Sequence, residues 1–535
     1  MAHLEPRPAV PRPAPRLPRR RSAGAWVLHP FLLAAYPVLF LFAQNSADQL
    51  SLDPVWLPLG VALAGAASIL VLWTGVFRDV DRAGIATSVV VAAFFTFGHV
   101  RNLLEGSIAS EQLLLATWIG LVVAGLVVAW RLGRRARDIT APLNLLAALA
   151  LAFTMIGLGD FVVSRGAAAV LSPVSGLLDR GEDDRPDVYY LVFDRYAGSP
   201  ALDRHFGFDN EPFLRQLEER DFFVARNSVA NYVKTNLSLT STLQMEYLDA
   251  DALTAAAATP ADQGPINRAF QGRLTVPASL KELGYRFVLV PSWWPPTARN
   301  TDADLTLQYE GPSEFVLALL DTTMVSAFTG PREEVDPFSS SELRKYTLHQ
   351  IDRMLEVPAS VTGPKFVMAH VLIPHPPNLF DRDGEPFRGD AARLSAAEKY
   401  VRQVEFTNSQ ILRMIDAIRA APGGDDAAII VQADEGPFPP RYAANGETFR
   451  WEEATAAELE IKFRILNAVR LPGTDPEAAG ARDSMTPVNQ FRIVFNALFD
   501  AGLPLLPDRV FAHADYRHFY DMLEVTDRIP DWSPD

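Results

Sequence analysis

The chain has 535 residues, a formal net charge of −15 at pH 7 and no cysteine. The acidic balance argues against a nucleic-acid partner, and the lack of cysteine excludes disulfides, thiolate metal ligands and a cysteine nucleophile. The length exceeds one ordinary domain, and the longest apolar runs lie in the first third. At least two structural parts are therefore expected.

Five apolar stretches in the first third predict membrane-spanning helices. Each has close to the ~20 residues that cross a hydrocarbon core as a helix, and their interiors carry almost no charge. The predicted spans are 26–42, 55–77, 83–100, 113–130 and 143–163. Residues 1–25 then form a basic, proline-rich tail before a five-helix membrane domain over 26–163. Apart from Asp160 near one end, the spans offer almost no intramembrane charge, which argues against a transporter.

Arginines mark alternate ends of these spans. The tail, the loop after the second span and the loop after the fourth are rich in arginine, whereas the other two loops are acidic or nearly neutral. Because basic flanking residues are retained in the cytoplasm, this pattern predicts a cytoplasmic N-terminus. Five crossings then place everything after Val163 outside the cytoplasmic membrane.

Residues 164–185 read as a linker and residues 186–535 as an extracytoplasmic α/β domain. Strand-like runs cover 187–193, 286–290, 365–372, 427–433 and 463–471, and helical patterns cover 341–355, 396–420 and 487–501. This alternation predicts a largely parallel sheet with helices on both faces.

Chemically useful side chains follow several of these strands. In open α/β sheets, ligands bind at the carboxyl ends of the strands. Asp194 ends the first strand, His375 lies between prolines after the strand 365–372, and Asp434 and Glu435 follow the strand 427–433. Thr235 opens a helical stretch, where the helix dipole favours an anion. The four segments together predict a metal-assisted site for an anionic substrate.

Each group also has a simpler explanation. A threonine before a helix is usually an N-cap, and Ser238 is an alternative cap for the same helix. Asp434 and Glu435 would also suit a solvated acidic turn. His370, inside the strand 365–372, is interpreted as a core residue or as support for a ligand, and the C-terminal histidines are interpreted as structural.

The order of these motifs resembles the alkaline phosphatase superfamily, in particular its sulfatase-like membrane branch. That branch includes lipoteichoic acid synthases and phosphoethanolamine transferases, which place five membrane helices before an extracytoplasmic catalytic domain. The resemblance implies an alkaline phosphatase-like fold. It also implies that Asp194 and Asp434 bind metal, that Thr235 is a metal-coordinating nucleophile and that His375 contacts substrate.

Glu435 departs from the family pattern, which normally has histidine at this position. Residues 436–471 contain no histidine that would hold a second zinc ion. With Glu435 as a fourth ligand, a site of Asp194, Thr235, Asp434 and Glu435 is all oxygen, which predicts one divalent ion, manganese or magnesium rather than zinc. Lys234, Arg195 or a charged His375 would have to offset the carboxylates and bind substrate.

The predicted function is that of a phosphotransferase or phosphodiester hydrolase at the cytoplasmic membrane, acting on a phospholipid or envelope glycan head group. A sulfate ester is less favoured because the Thr235 segment lacks the Cys/Ser-x-Pro-x-Arg motif of sulfatases. The departure at Glu435 leaves one alternative, a catalytically silent relative with a binding or scaffold role.

Overall fold

A computed structural model describes residues 26–44, 52–104, 111–164, 185–309, 311, 314–327 and 340–533. The predicted tail over 1–25 and nearly all of the predicted linker lie outside these residues. The described part contains a helical bundle followed by an α/β domain.

The bundle consists of α1 (His29–Gln44), α2 (Asp53–Phe77), α3 (Val80–Leu103), α4 (Glu111–Arg131) and α5 (Ala136–Ser164). Four predicted spans are confirmed, because α2, α3, α4 and α5 each contain an apolar helical stretch long enough to cross a membrane.

The first predicted span differs from expectation. Over the described residues, α1 has 16 residues and is roughly 24 Å long at 1.5 Å per residue, short of a hydrocarbon core of about 30 Å. It starts late because the Asn144 side chain accepts hydrogen bonds from the backbone N–H groups of Leu28 and His29, leaving Trp26 outside the helix and exposed. The helix nevertheless packs against α2, α3 and α5.

The α/β domain is built on a seven-stranded sheet of order β2-β7-β6-β1-β5-β3-β4 and a separate hairpin, β8-β9. Its strands are β1 (Val188–Phe193), β2 (Phe223–Val224), β3 (Arg286–Val290), β4 (Leu305–Thr306), β5 (Lys365–Val371), β6 (Ala428–Gln432), β7 (Asn467–Arg470), β8 (Phe511–Asp515) and β9 (His518–Glu524). Its helices are α6 (Ser199–Phe206), α7 (Glu211–Glu218), α8 (Thr235–Gln244), α9 (Ala250–Ala256), α10 (Gly264–Gln271), α11 (Thr275–Glu282), α12 (Glu314–Asp321), α13 (Ser340–Ser360), α14 (Ala396–Ala420), α15 (Pro440–Ala444), α16 (Ala456–Phe463) and α17 (Gln490–Phe499).

The predicted parallel sheet is confirmed at its centre, where β1 runs parallel to both β5 and β6. Alternate residues of β1 belong to two different apolar clusters: Tyr189 and Leu191 pack on one face, and Val188 and Tyr190 on the other. Helices α13 and α14 cover the first face, and α11 and α17 cover the second. Burial on both faces explains the continuous apolar run of this strand.

Strand β7 is the exception in the predicted set, since it runs antiparallel to β6. The preceding helix, α16, ends beside the carboxyl end of β6, where the Gly436 N–H donates to the Lys462 carbonyl at 2.8 Å. A Cβ on Gly436 would lie 2.3 Å from the Ile461 carbonyl oxygen, so this approach requires glycine. The chain therefore enters β7 from the carboxyl edge of the sheet and has to run back along β6.

Candidate metal centre

Three buried side chains meet at the carboxyl edge of the sheet. Asp194 follows β1, Asp434 lies just beyond β6, and His370 is the penultimate residue of β5. Each offers one ligand atom, and the three atoms lie within 4.8 Å of one another. Because β1 lies between β5 and β6, three neighbouring parallel strands place these side chains next to one another.

The unpaired atoms of this trio fit a cation. His370 Nδ1 lies 2.8 Å from the Thr297 hydroxyl, whereas Nε2 faces Asp194 Oδ2 at 3.8 Å. His370 Nε2, Asp194 Oδ1 and both Asp434 oxygens are buried without a hydrogen-bond partner. Buried polar atoms are normally paired, and a metal-binding histidine is typically held through its other ring nitrogen. The residues present therefore suit a divalent ion.

His370 changes the predicted ligand set. The sequence interpretation kept it in the core or in a supporting role and treated the site as all oxygen, but the structure groups an imidazole nitrogen with the two carboxylates. Mixed nitrogen and oxygen ligands suit zinc as well as manganese. The preference for manganese or magnesium over zinc therefore stays a prediction.

Burial sets the charge state of the trio in the absence of metal. Burial and repulsion from Asp434 raise the pKa of Asp194. Burial and the charge of Glu435 likewise raise the pKa of Asp434. Burial lowers the pKa of His370 to about 3, so its ring is neutral and available as a ligand at neutral pH.

Thr235 is the first residue of α8 and is buried. The N-cap is Lys234, which makes no side-chain cap bond, and the Ser238 hydroxyl donates instead to the Tyr232 carbonyl at 3.1 Å. The hydroxyls of Thr235 and Ser238 therefore do not cap α8. The Thr235 hydroxyl faces Asp434 and lowers its pKa, although neither Asp434 oxygen meets full hydrogen-bond geometry.

Glu435 lies outside the trio. Its Oε1 is 2.9 Å from Lys462 Nζ and 3.3 Å from Arg195 Nε, and its Oε2 is buried without a hydrogen-bond partner. One carboxylate oxygen is therefore committed to cations. The other oxygen, Oε2, has no such partner and could bind a metal. A metal-binding role for Glu435 stays a prediction.

Three cations surround the ring of Phe438. The Arg195 guanidinium carbon, Lys234 Nζ and Lys462 Nζ lie 4.2, 4.5 and 3.7 Å from the ring centroid. Burial lowers the pKa of Lys234 to about 7, while Glu435 opposes that shift. The number of these cationic side chains equals the number of carboxylates, which are Asp194, Asp434 and Glu435. A bound divalent ion would then leave an excess of positive charge suited to an anionic substrate.

Lys462 is the member of this group that the sequence did not indicate. Lys462 lies 27 residues after Glu435 in the sequence, and only the fold brings it to Phe438. Lys234 and Arg195, which were predicted to bind substrate, lie beside the same ring. Their substrate role stays a prediction.

Two further histidines lie close to these charges. Burial and the nearby Arg195 hold the pKa of His375 well below its usual range, and its ring meets the Trp293 ring edge to face at 6.3 Å. His513 is fully buried with both ring nitrogens unpaired. Burial, with Lys234 and Lys462 nearby, lowers the pKa of His513 to about 3. The interpretation of His513 as a structural residue stays a prediction.

Residues 205–461 match the sulfatase family model. The matched segment lies within the α/β domain that begins at β1, which is called the sulfatase domain below. The match includes Thr235, His375, Asp434 and Glu435, begins after Asp194 and ends one residue before Lys462. The predicted resemblance to sulfatase-like proteins is thereby confirmed. No curated protein matches the chain.

Solved structures similar to the chain include a periplasmic domain, an integral membrane protein and a hydrolase. The C-terminal periplasmic domain of EcEptC from Escherichia coli is 13% identical, with 68% of this chain and 98% of that chain covered and a TM-score of 0.44. The lipooligosaccharide phosphoethanolamine transferase EptA from Neisseria meningitidis is 13% identical over 89% of this chain and 96% of that chain, with a TM-score of 0.39. The phosphonate monoester hydrolase of Agrobacterium radiobacter is 13% identical over 61% and 80%, with a TM-score of 0.38.

Proposed function

We propose that the sulfatase domain is a metal-dependent enzyme that transfers or hydrolyses a phosphoester through Thr235. The observation that carries this proposal is the buried Asp194–His370–Asp434 group, whose unpaired atoms lie beside a threonine at the start of a helix. A structural cluster would leave those atoms at a cost of about 1–3 kcal/mol each. A bound cation removes that cost.

When bound at the trio, a divalent ion would supply positive charge that stabilises the transferring group. The Thr235 oxygen attacks phosphorus as its hydroxyl proton passes to water, and the bond from phosphorus to the leaving oxygen breaks as that oxygen takes up a proton from water. Arg195, Lys234 and Lys462 stabilise the negative charge that spreads over the phosphoryl oxygens. The phosphothreonine then passes its group to an alcohol or to water.

His375 is suited to accept a proton in the second step. Its Nδ1 contacts the Pro376 carbonyl oxygen, which only accepts hydrogen bonds. Burial and Arg195 lower the pKa of His375, so the ring is neutral and one of its two nitrogens is an acceptor. We therefore assign His375 to activating the attacking alcohol or water.

The substrate class follows from location and charge. The sulfatase domain contacts Phe42 at the end of α1 and Val55 at the start of α2, at the end of the bundle opposite the loop containing Arg78 and Arg82. Together with the arginine pattern, this contact supports an extracytoplasmic domain and a cytoplasmic N-terminus. A phospholipid or envelope glycan head group is the proposed substrate.

Metal content and turnover of the purified full-length chain test this proposal. The chain is stripped with chelator, reloaded separately with manganese, magnesium or zinc, and assayed on a phosphodiester, a phosphomonoester and a sulfate ester. Metal-dependent turnover of a phosphodiester is expected, with none in Thr235→Ala. Metal binding without turnover of any ester would instead identify a silent relative with a binding role.

A further inference from the structure

One segment of the sulfatase domain reaches back to the membrane helices. It comprises α12 and the turn that follows it, residues 314–327, and is called the docking segment below. Phe315 and Leu319 are buried in one cluster with residues of α1, α2 and α3. The rings of Phe315 and Phe42 meet edge to face at 5.8 Å.

Polar contacts fix the end of the docking segment to α3. Arg101 Nη2 lies 2.8 Å from Asp321 Oδ1, and Arg101 Nη1 donates to the Ser326 carbonyl at 2.9 Å. The Asn102 amide donates to the second Asp321 oxygen at 3.3 Å. One arginine therefore bonds both a side chain and the backbone of the same turn, which gives the contact a defined orientation.

Gly98 on α3 allows the two backbones to touch. Its N–H lies 3.0 Å from the Thr322 carbonyl oxygen. A Cβ at this position would lie 2.0 Å from the Asp321 carbonyl oxygen and 2.6 Å from the Thr322 carbonyl carbon. Because both atoms belong to backbone, even alanine would force the docking segment away from α3.

We propose that the docking segment seats the sulfatase domain on the bundle and thereby positions its site for a membrane-borne substrate. The second half of this proposal rests on the proposed function. Catalysis on a lipid head group requires the site to be held in a productive orientation relative to the membrane, and such positioning contributes strongly to rate. A small soluble ester diffuses to the site whatever the orientation of the domain.

Crosslinking tests the contact directly, because the chain has no natural cysteine. Leu41→Cys and Val316→Cys, at partly buried positions next to Phe42 and Phe315, are introduced together in the full-length chain and treated with a short bismaleimide. High crosslink yield is expected in this background and a several-fold lower yield after Gly98→Ala. The matched control is Gly120→Ala on α4, where an added Cβ meets nothing within 4 Å.

The same variants are assayed on a lipid phosphodiester in detergent micelles and on a small soluble phosphodiester. Gly98→Ala is expected to lower lipid turnover several-fold and to leave soluble turnover at the level of Gly120→Ala. Should Gly98→Ala fold poorly, Asp321→Arg is used instead, with the Arg101→Asp/Asp321→Arg double variant expected to recover both crosslinking and lipid turnover.

An unchanged crosslink yield in Gly98→Ala and Asp321→Arg would overturn the docking contact. Equal losses on lipid and soluble esters would overturn its positioning role. Lack of turnover on both esters in the parent chain would overturn the proposed function and the positioning role with it, while the crosslink yield would still decide the contact itself.

Discussion

Glu435 Oε1 lies 2.9 Å from Lys462 Nζ, and both side chains are almost completely buried. Breaking a buried ion pair by neutralising one partner leaves the other charge uncompensated. Glu435→Gln is therefore expected to lower the free energy of unfolding by about 3–5 kcal/mol. Denaturant titration measures that loss, and the double variant Glu435→Gln/Lys462→Met should recover part of it.

Metal content of the same variants separates the two roles considered for Glu435. If the ion pair is its main role, Glu435→Gln keeps the metal stoichiometry of the parent. Loss of metal in Glu435→Gln, with full metal in Lys462→Met, would make Glu435 a ligand.

Thr297 orients the candidate ligand His370 through a 2.8 Å hydrogen bond to Nδ1. Thr297→Val keeps the shape of the side chain and removes the hydroxyl. Because residues that orient a ligand typically contribute 10–100-fold to metal affinity, we expect a loss of about that size by calorimetric titration. Thr306→Val, at an exposed position of β4, is the matched control. Equal affinities in the two variants would remove His370 from the ligand set.

Asp434 should destabilise the sulfatase domain when it is charged and no metal is bound. Its pKa is raised by burial and by Glu435, whereas an unfolded aspartate titrates at about 4. Protonated Asp434 therefore makes its full contribution to the free energy of unfolding below about pH 4. That contribution is lost as the pH rises through the raised pKa of the folded state.

Asp434→Asn removes this penalty. Without metal at pH 8, the variant is expected to melt at a higher temperature than the parent, and its advantage should shrink as the pH falls. Saturating metal should reverse the order, because only the parent binds it well. Thermal melts with chelator and with metal check both signs, and a pH-independent difference would contradict the assignment.

His375 is expected to affect turnover and not metal binding. His375→Gln removes the proposed proton acceptor, and general-base catalysis is typically worth about 10²–10⁴-fold. The steady-state rate should decrease by a factor in that range, while the metal affinity measured by calorimetry stays at the parental value. A parallel loss of metal affinity would instead place His375 among the ligands.

Strand ends were the part of the site that the sequence could predict. Asp194 and Asp434 each follow a continuous apolar run, and such runs end at one edge of a parallel sheet. His370 was harder to recognise because it lies inside β5, where a polar side chain is indistinguishable from a buried structural one. Lys462 reaches the site only because α16 returns to Gly436, a tertiary contact with no local signature.

In the membrane helices too, local features could be predicted from the sequence and long-range contacts could not. Hydropathy predicted α2 to α5, because a span is a property of consecutive residues. The late start of α1 depends on Asn144, more than a hundred residues away, and the docking of Phe315 onto Phe42 joins segments that no local pattern connects.

Intact-mass measurement of the full-length, metal-loaded chain after rapid mixing with a phosphodiester tests the central claim most directly. A mass gain equal to the transferred phosphoryl group is predicted, located on Thr235 by fragmentation. Thr235→Ala should show no gain and lose about 10³-fold or more of turnover, whereas Thr240→Ala, a buried threonine of the same helix, should behave as the parent. A gain on another residue, or parental turnover in Thr235→Ala, would contradict the assignment of Thr235 as nucleophile.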